Sequence, residues 1–549
     1  SGYNEAWLVK FSKDFLKKYN VAFEYLQGWM DTKLPYIQYA ELSKGRQTWS
    51  FIQKRNIPAP MALEETIEFL EMNLKRRVGK TLIEYLNAIC EVMEMEETTY
   101  VYYKNKKFHT IVEVDDDEID YVPENKRIRV ELRFTREELW DQMRKLNTMW
   151  KHLERGRLNR RTIATASMLV RGFVKVVEDA SRVLLERIDS AGTPVGGEEK
   201  LAKLANNLIR KHSNETGELS GDQEKFNECL DPDAMRTMWT IFLEGINRES
   251  WEIEMFNLPF LVFKSKLADM GEGLLMTRGK ERQHFNLKDV DHPEFNDIKP
   301  LVRDNDIECS LGMFMGMYNL SATLLALIAA DTIDTNGKHV ESSDDFIHFF
   351  FEDSLDQILR SAENLRLRMK LVGVNFSPSK CLLIVPAGIG EFNSKFHHQD
   401  FVGNIATELP ALIPGGNNPM TDLSMGLNVI KNSLNTFQMT PITGNLALKL
   451  FLKSYKYAYL CEGETKRTEF LRKIGLNPIL TCQGADSVHS VSTLHLEEIS
   501  LRRHLGMITD EEFQVLMNPD NPFSAKIEPG MVIRVENKMP TITNDISLG

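Results

Sequence analysis

The stretch Leu311–Ala330, LGMFMGMYNLSATLLALIAA, runs twenty residues without a charge, so it has to be withdrawn from water along most of its length. It has the length of a membrane span. Its surroundings argue against one: Glu308 and Asp331 stand where basic anchors would, Gly312 and Gly316 open the stretch, and Tyr318, Asn319, Ser321 and Thr323 interrupt it. The expected form is a Gly/Met-rich turn running into a helix buried in a protein core. With 549 residues the chain is long enough for about three or four domains and a large core. No long Gly/Ser/Pro-rich segment divides it, so the parts are expected to pack as one articulated, soluble body.

Charge excludes some partners. A net charge of -12 and a pI of 5.6 do not suit a protein that coats nucleic acid with its whole surface. Locally the balance reverses in KHLERGRLNRR (151–161), where Lys151, Arg155, Arg157, Arg160 and Arg161 face a single Glu154. A basic channel inside an acidic body and a solvated basic helix face both fit that run. EVDDDEID (113–120) is a compact acidic counterpart. Cys90, Cys229, Cys309, Cys381, Cys461 and Cys482 show no C-x-x-C spacing, which argues against a zinc site or a disulfide framework and for a reducing compartment. The opening SGYNEAWLVKF has neither an initiator Met nor a signal peptide, so the natural start is expected upstream.

Periodicity predicts a helix-rich α+β chain. NEAWLVKFSKDFLKKY and LEETIEFLEMNLKRR carry apolar residues every three or four positions. TTYVYYKNKKFHTIVEV and KRIRVELRF are β-branched and aromatic, predicting a two-stranded ribbon over about 100–133 around the acidic run. A helix is expected from Thr135 to about Glu154, an amphipathic one in EEKLAKLANNLIRK (198–211), another from Asp231-Pro232, and a helical period from about 424 to 475. Short strands are expected chiefly between about 215 and 400.

Two apparent motifs fail. The Gly-Lys-Thr of RVGKTLIEY lacks the glycine a phosphate loop needs five residues earlier, where Leu74 stands. His397-His398 has no ligand partner at helical spacing and reads as a surface pair. The carboxylates do better. Asp222 sits at a predicted turn in SGDQEKFN, and Asp344-Asp345 precede IHFFF, which reads as a strand. A hairpin would hold the pair at its tip, where mutual repulsion is tolerable if a cation neutralises it. Mg²⁺ prefers a few carboxylates plus substrate phosphates, so two-ion nucleotidyl transfer is the chemistry the cluster favours.

The order of these features, with RRTIATASMLVRGFV, GTPVGGEEKLAKLAN, GDQEKFNE, GMFMGMYN, SSDDF, GEFNSKF, NPDNPF, GRQTW and MGLNVIKN, resembles the polymerase basic protein 1 subunit of orthomyxoviruses, the influenza-like and thogotovirus-type family, from about residue 1 to 540. The resemblance implies an RNA-dependent RNA polymerase with a right-hand fold. Residues 1–216 would form N-terminal helices and fingers, 217–400 the palm with inserted finger elements at about 245–305, and 401–549 the thumb and the start of a C-terminal region. It implies Asp222, Asp344 and Asp345 as ligands of two Mg²⁺ or Mn²⁺ ions, with Glu391 near the primer grip as a further candidate. Lys380 would protonate the leaving pyrophosphate. Lys151, Arg155, Arg157, Arg160 and Arg161 would grip triphosphate and template, with Lys225 and Asn227 near the incoming nucleotide. Met313, Gly316, Asn319 and Ser343 would support template and nascent pair. Implied partners are viral RNA, nucleoside triphosphates, an endonuclease-type acidic subunit and a cap-binding basic subunit in a heterotrimer, and nucleoprotein, with no membrane and a location in the host nucleus.

The chain departs from the pattern in three places. SNETGE, before Ser220, is polar where an apolar strand should carry Asp222. Ser377-Pro378-Ser379-Lys380 has one lysine where relatives have consecutive ones. The ribbon is acidic, which weakens an import reading. Two other functions compete: a non-catalytic RNA-binding and assembly subunit, against which the three intact acids speak, and a reverse transcriptase.

Overall fold

The computed structural model describes residues 2–44, 47–115, 118–150, 162–193, 216–271, 274–278, 281–314, 316–333, 336–393, 395–398, 401–403, 419–435 and 438–458, with short pieces at 506, 509–511, 532–536 and 539–543. The chain forms two compact units, Ser1–Lys203 with His212–Ala387, and Leu204–Lys211 with Gly388–Gly549.

The first unit opens with helices α1 (Glu5–Lys18) and α2 (Asn20–Thr32). The Asn4 side chain accepts the Trp7 N–H at 3.1 Å and starts α1, whose spacing puts Leu8, Phe11 and Phe15 on one buried face. A hairpin, β1 (Gln47–Ser50) and β2 (Arg55–Pro58), leads to α3 (Ala59–Leu74) and α4 (Leu82–Met93), the latter begun by a reciprocal Thr81–Glu84 capping box. The expected ribbon follows as β3 (Glu97–Asp115) and β4 (Glu118–Thr135), paired from Glu97↔Thr135 to Asp115↔Glu118.

The helix expected from Thr135 to Glu154 stops early. A Thr135–Glu138 capping box starts α5 at Arg136, but α5 ends at Arg144 and Lys145–Trp150 becomes strand β5. Pairing with β6 (Thr162–Ala166) on one side and with the later strand Lys266–Asp269 on the other outweighs local helix preference there. Strands thus also lie well before residue 215. The basic run 151–161 and the amphipathic segment 198–211 fall outside the described residues.

Helix α6 (Met168–Leu185) is followed by β7 (Gly217–Asp222), the single turn α7 (Phe226–Cys229), α8 (Pro232–Gly245), which begins at Asp231-Pro232 as expected, and α9 (Ser250–Lys264). Next come β8 (Lys266–Asp269), the hairpin β9 (Leu274–Arg278) and β10 (Glu281–Phe285), β11 (Val302–Arg303), β12 (Asp306–Cys309) and α10 (Asn319–Ala330). The unit closes with β13 (Gly337–Ser342), β14 (Asp345–Phe350), α11 (Leu355–Leu371) and β15 (Leu382–Ile384). One mixed sheet has the order β11-β12-β8-β5-β6, and a second, antiparallel sheet the order β13-β14-β7-β15.

Only the second half of the uncharged stretch is helical. Every residue of α10 from Leu320 to Ala330 is buried. Cations meet its C-terminal carbonyls, with Arg368 Nε donating to Ala329 O at 2.9 Å and Lys18 Nζ to Asp331 O at 2.6 Å. Among the described residues no helix is long and apolar enough to cross a membrane. Around α10 the rings of Phe15 and Phe23 converge on Phe242 of α8, with centroids at 6.0 and 4.8 Å.

The second unit contains the sheet β16 (Ile389–Phe392), β17 (Lys395–His398) and β18 (Phe401–Gly403), helices α11's successors α12 (Pro419–Asn435) and α13 (Pro441–Ala458), and the pair β19 (Val532–Glu536) and β20 (Met539–Thr543). The helical period expected from 424 is met as far as Ala458. His397 is buried within β17, not a surface residue, because strand alternation turns its side chain inward. Replacing Phe242 with Ala should lower unfolding stability by about 3–5 kcal/mol in thermal or chemical denaturation, whereas Tyr36→Ala, at a ring 77% exposed, should leave it nearly unchanged.

Candidate active site

A strand of modest intrinsic preference, GELSGD, is made a central strand by its neighbours: β14 pairs with it on one side and β15 on the other. The strand expected to carry Asp222 is therefore present but short. Its register sets Asp345 directly opposite Asp222 and Phe346 opposite Gly221. Paired residues of an antiparallel ladder share a face, so the two carboxylates project from the same side of the sheet. Gly221 is required beside them, since a Cβ there would lie 2.6 Å from the Phe346 ring. Ser342 pairs with Asp345 across the hairpin, leaving Ser343 and Asp344 as its two-residue turn. The two acids at the hairpin tip and the acid on the neighbouring strand thus lie together at one end of the two central strands.

Like charges opposite one another in a ladder repel. One counter-charge is the Lys380 ammonium, which donates to Asp222 Oδ2. Its loop is tied to the same strand: Ser377 N–H donates to Asp222 O at 2.9 Å, and Phe376 bridges to Gln223. The Lys380 side chain is 57% exposed against 17% for Asp222, so the pair faces solvent from one side.

The hairpin turn is held from two directions. Ser343 has φ +61°, a conformation that glycine adopts more readily. Its N–H donates to Thr323 Oγ1 at 3.2 Å and its hydroxyl to Asn319 Oδ1 at 2.6 Å, both within the first two turns of α10. From the other side Gln223 N–H donates to Asp344 O at 2.8 Å.

Behind the acids lies a buried polar chain that the sequence did not reveal. Gln223 Nε2 donates to Glu341 Oε1, Glu341 Oε2 lies 2.6 Å from His339 Nε2, and His339 Nδ1 lies 3.2 Å from His348 Nδ1. Burial, reinforced by the nearby Asp344 charge, holds the Glu341 carboxyl well above its usual range. Burial also pushes His339 down to about 4 and His348 well below its ordinary value. A neutral acid donating to a neutral imidazole, which donates onward through Nδ1, satisfies every one of these contacts. In sequence the polar side chains of HVE and FIH look like the wet face of a strand, which hid the network.

The glycine-rich approach to α10 packs on the segment after Asp222. Met313 N–H donates to Asn227 O at 2.5 Å and Gly312 N–H to Leu230 O at 2.9 Å. Gly312 has φ +76°, and a Cβ there would lie 2.8 Å from Glu228 O, so glycine is required twice over. Met313 is buried, whereas Gly316 and Asn319 are exposed. Lys225 is exposed and caps α7 at φ +49°. Lys266, not foreseen, donates to Phe263 O, Cys309 O and Leu311 O at 2.9–3.1 Å, and burial pushes it down to about 8.

Asp222, Asp344, Asp345, Lys380 and Ser343 are brought together, with Asn319 bound to Ser343 and Met313 to Asn227. Glu391 lies on β16 of the second unit. Lys151, Arg155, Arg157, Arg160 and Arg161 lie outside the described residues. Among the described residues no three His, Cys, Asp or Glu side chains are gathered as a ready metal site.

These features define a helix-rich α+β protein with carboxylates gathered at the accessible end of two central strands. The profile of the family described as Influenza RNA-dependent RNA polymerase subunit PB1 matches residues 1–548. The chain is 58% identical over 552 residues to the RNA-directed RNA polymerase catalytic subunit of Thogoto virus (isolate SiAr 126), a match covering all of this chain and 78% of that protein. It is 54% identical over 562 residues to the protein of the same name from Dhori virus (strain Indian/1313/61), with the same coverage. The chain belongs to the influenza RNA-dependent RNA polymerase subunit PB1 family.

The buried chain predicts opposite pH responses at adjacent positions. His339 is depressed in the fold, so the stability it contributes is present above about 6.5 and is lost as pH falls towards about 4. The cost of His339→Gln should therefore shrink over that window in denaturation at several pH values. Glu341 is raised, so its contribution is full below about 4.5 and is lost as pH rises. Glu341→Gln, a mimic of the neutral acid, should become relatively more stable than the parent as pH rises.

Proposed function

We infer that this chain is an RNA-directed RNA polymerase catalytic subunit, adding ribonucleotides to an RNA 3′ end under the direction of an RNA template. The observation that carries the reading is the ladder register: Asp222 and Asp345 face one another, with Asp344 in the adjoining pinned turn, in a chain of this family. Asp222, Asp344 and Asp345 would supply hard oxygen donors, suited to Mg²⁺ or Mn²⁺. The Lys380 ammonium against Asp222 is a cation already drawn to one of these carboxylates. When bound, two such ions activate the attacking hydroxyl and stabilise the departing pyrophosphate. Asp222, Asp344 and Asp345 would hold and orient them. Lys380 keeps a proton at Nζ for the leaving group. Lys225 and Asn227 face the incoming nucleotide, Met313, Gly316, Asn319 and Ser343 support template and nascent pair, and the basic run 151–161 grips the triphosphate.

In this reading residues 1–216 are fingers, 217–400 palm and 401–549 thumb. The protein works with viral RNA and nucleoprotein in the host nucleus, as one subunit of a heterotrimer with an endonuclease-type and a cap-binding subunit.

Asp344→Asn should lower ribonucleotide incorporation by more than about a hundred-fold while RNA affinity stays within about two-fold, because phosphate contacts elsewhere carry affinity. Incorporation at the parent rate would overturn the reading in favour of an assembly subunit, and a preference for deoxyribonucleotides would favour a reverse transcriptase. Lys380→Ala should cost about ten- to hundred-fold, the range of a general acid. Arg160→Ala/Arg161→Ala should weaken nucleotide use and change its salt dependence.

A further inference from the structure

The turn that carries Asp344 is anchored to the first turn of α10, and the start of α10 is fixed by a residue outside the sequence motifs. Tyr318 precedes the helix at φ +53° and supplies no side-chain cap. The first N–H groups of a helix need an acceptor, and a carboxylate there also meets the positive end of the helix dipole. Glu178, on α6, supplies it from 142 residues away: Leu320 N–H donates to its Oε2 and Ser321 N–H to its Oε1, both at 3.1 Å. One helical turn on, Ser181 Oγ lies 2.7 Å from Ser321 Oγ, which also accepts the Trp239 Nε1–H at 3.1 Å.

We propose that Glu178 is a positioning residue for nucleotidyl transfer, fixing the rotation and height of α10 and, through Asn319 and Thr323, the Ser343–Asp344 turn. Two N–H groups received by the two oxygens of one carboxylate define the start of the helix in both respects. From there the path is short. Asn319 opens the helix and Thr323 stands one turn on, Thr323 Oγ1 donates back to Asn319 O at 3.0 Å, and both receive Ser343. Ser343 holds a positive φ that its own side chain does not favour, so the turn depends on these external bonds. A displacement of α10 would shift the Ser343–Asp344 turn relative to Asp222, whose strand is held from the other side by β15 and the Lys380 loop.

The chemistry of the group fits. Burial raises the Glu178 carboxyl to about 7, with the two N–H donors and Arg182 acting the other way and Asp179 adding to the rise. Tyr318, on the approach to α10, is itself raised by burial and by the Glu178 charge. The ionised form accepts both N–H groups, whereas a side-chain amide has one acceptor oxygen and turns an NH₂ towards the other N–H.

The proposal rests on the catalytic reading of Asp344 and Asp345, so the test runs Asp344→Asn in parallel. In the full-length polymerase, Glu178→Gln should lower kcat about ten-fold with nucleotide KM and RNA affinity within about two-fold, the pattern of a lost transition-state alignment. Thr323→Val, which removes only the hydroxyl between Asn319 and Ser343, should show the same kcat-selective loss and serves if Glu178→Gln does not fold. The double variant should lose less than the product of the two single losses, since both act on one turn. Parent kcat in folded Glu178→Gln or in Thr323→Val, or losses that multiply, would overturn the positioning role while an inactive Asp344→Asn leaves the catalytic reading standing. An active Asp344→Asn would instead remove the catalytic reading itself.

Discussion

Two aspartates facing one another across neighbouring antiparallel strands are a repulsive arrangement, and much of the architecture around Asp222 and Asp345 serves to maintain it. The strand that carries Asp222 has little preference of its own and is held by ladders on both sides. The turn that carries Asp344 contains a serine at positive φ and is held by α10 on one side and by Gln223 on the other. The repulsion is offset locally by Lys380.

The surroundings divide into two electrostatic regimes. Asp222, Asp344, Asp345 and Lys380 are partly or fully exposed to solvent. Glu341, His339 and His348, one to three rungs behind the turn in the ladder, are buried, and the inexpensive state for each is neutral. Neutral groups can still fix geometry when their donors and acceptors alternate, as they do from Gln223 to His348. An ionised residue at the same depth would compete with the acids for any bound cation. The polar layer therefore shapes the site without adding charge to it.

Much of this was legible in the sequence, and the reasons differ from one part to the next. The hairpin tip was readable because SSDDF stands directly before an aromatic and β-branched run. The deep helix was readable because no surface helix lacks charge over so many residues, and the ribbon because its composition favours strands. The helix overrun past Arg144 came from reading local period where pairing to β6 and β8 decides the outcome. His397 looked exposed because polar residues usually are, yet its strand turns it inward. Glu341, Glu178 and Lys266 were invisible for a common reason: each is a buried polar group whose partner is set by tertiary contact, across 118, 142 and 45 residues respectively. Alternation and spacing encode which side of an element faces the core. They do not encode which distant backbone a buried carboxylate will cap.

The central claim is that the three carboxylates act together as a divalent-ion site. Its most direct test is Mn²⁺ binding to the polymerase–RNA complex, followed by electron paramagnetic resonance, in the parent and in Asp222→Asn. The account predicts tightly bound Mn²⁺ in the parent and its loss in the variant, with RNA still bound. Identical Mn²⁺ binding curves for the two proteins would contradict it.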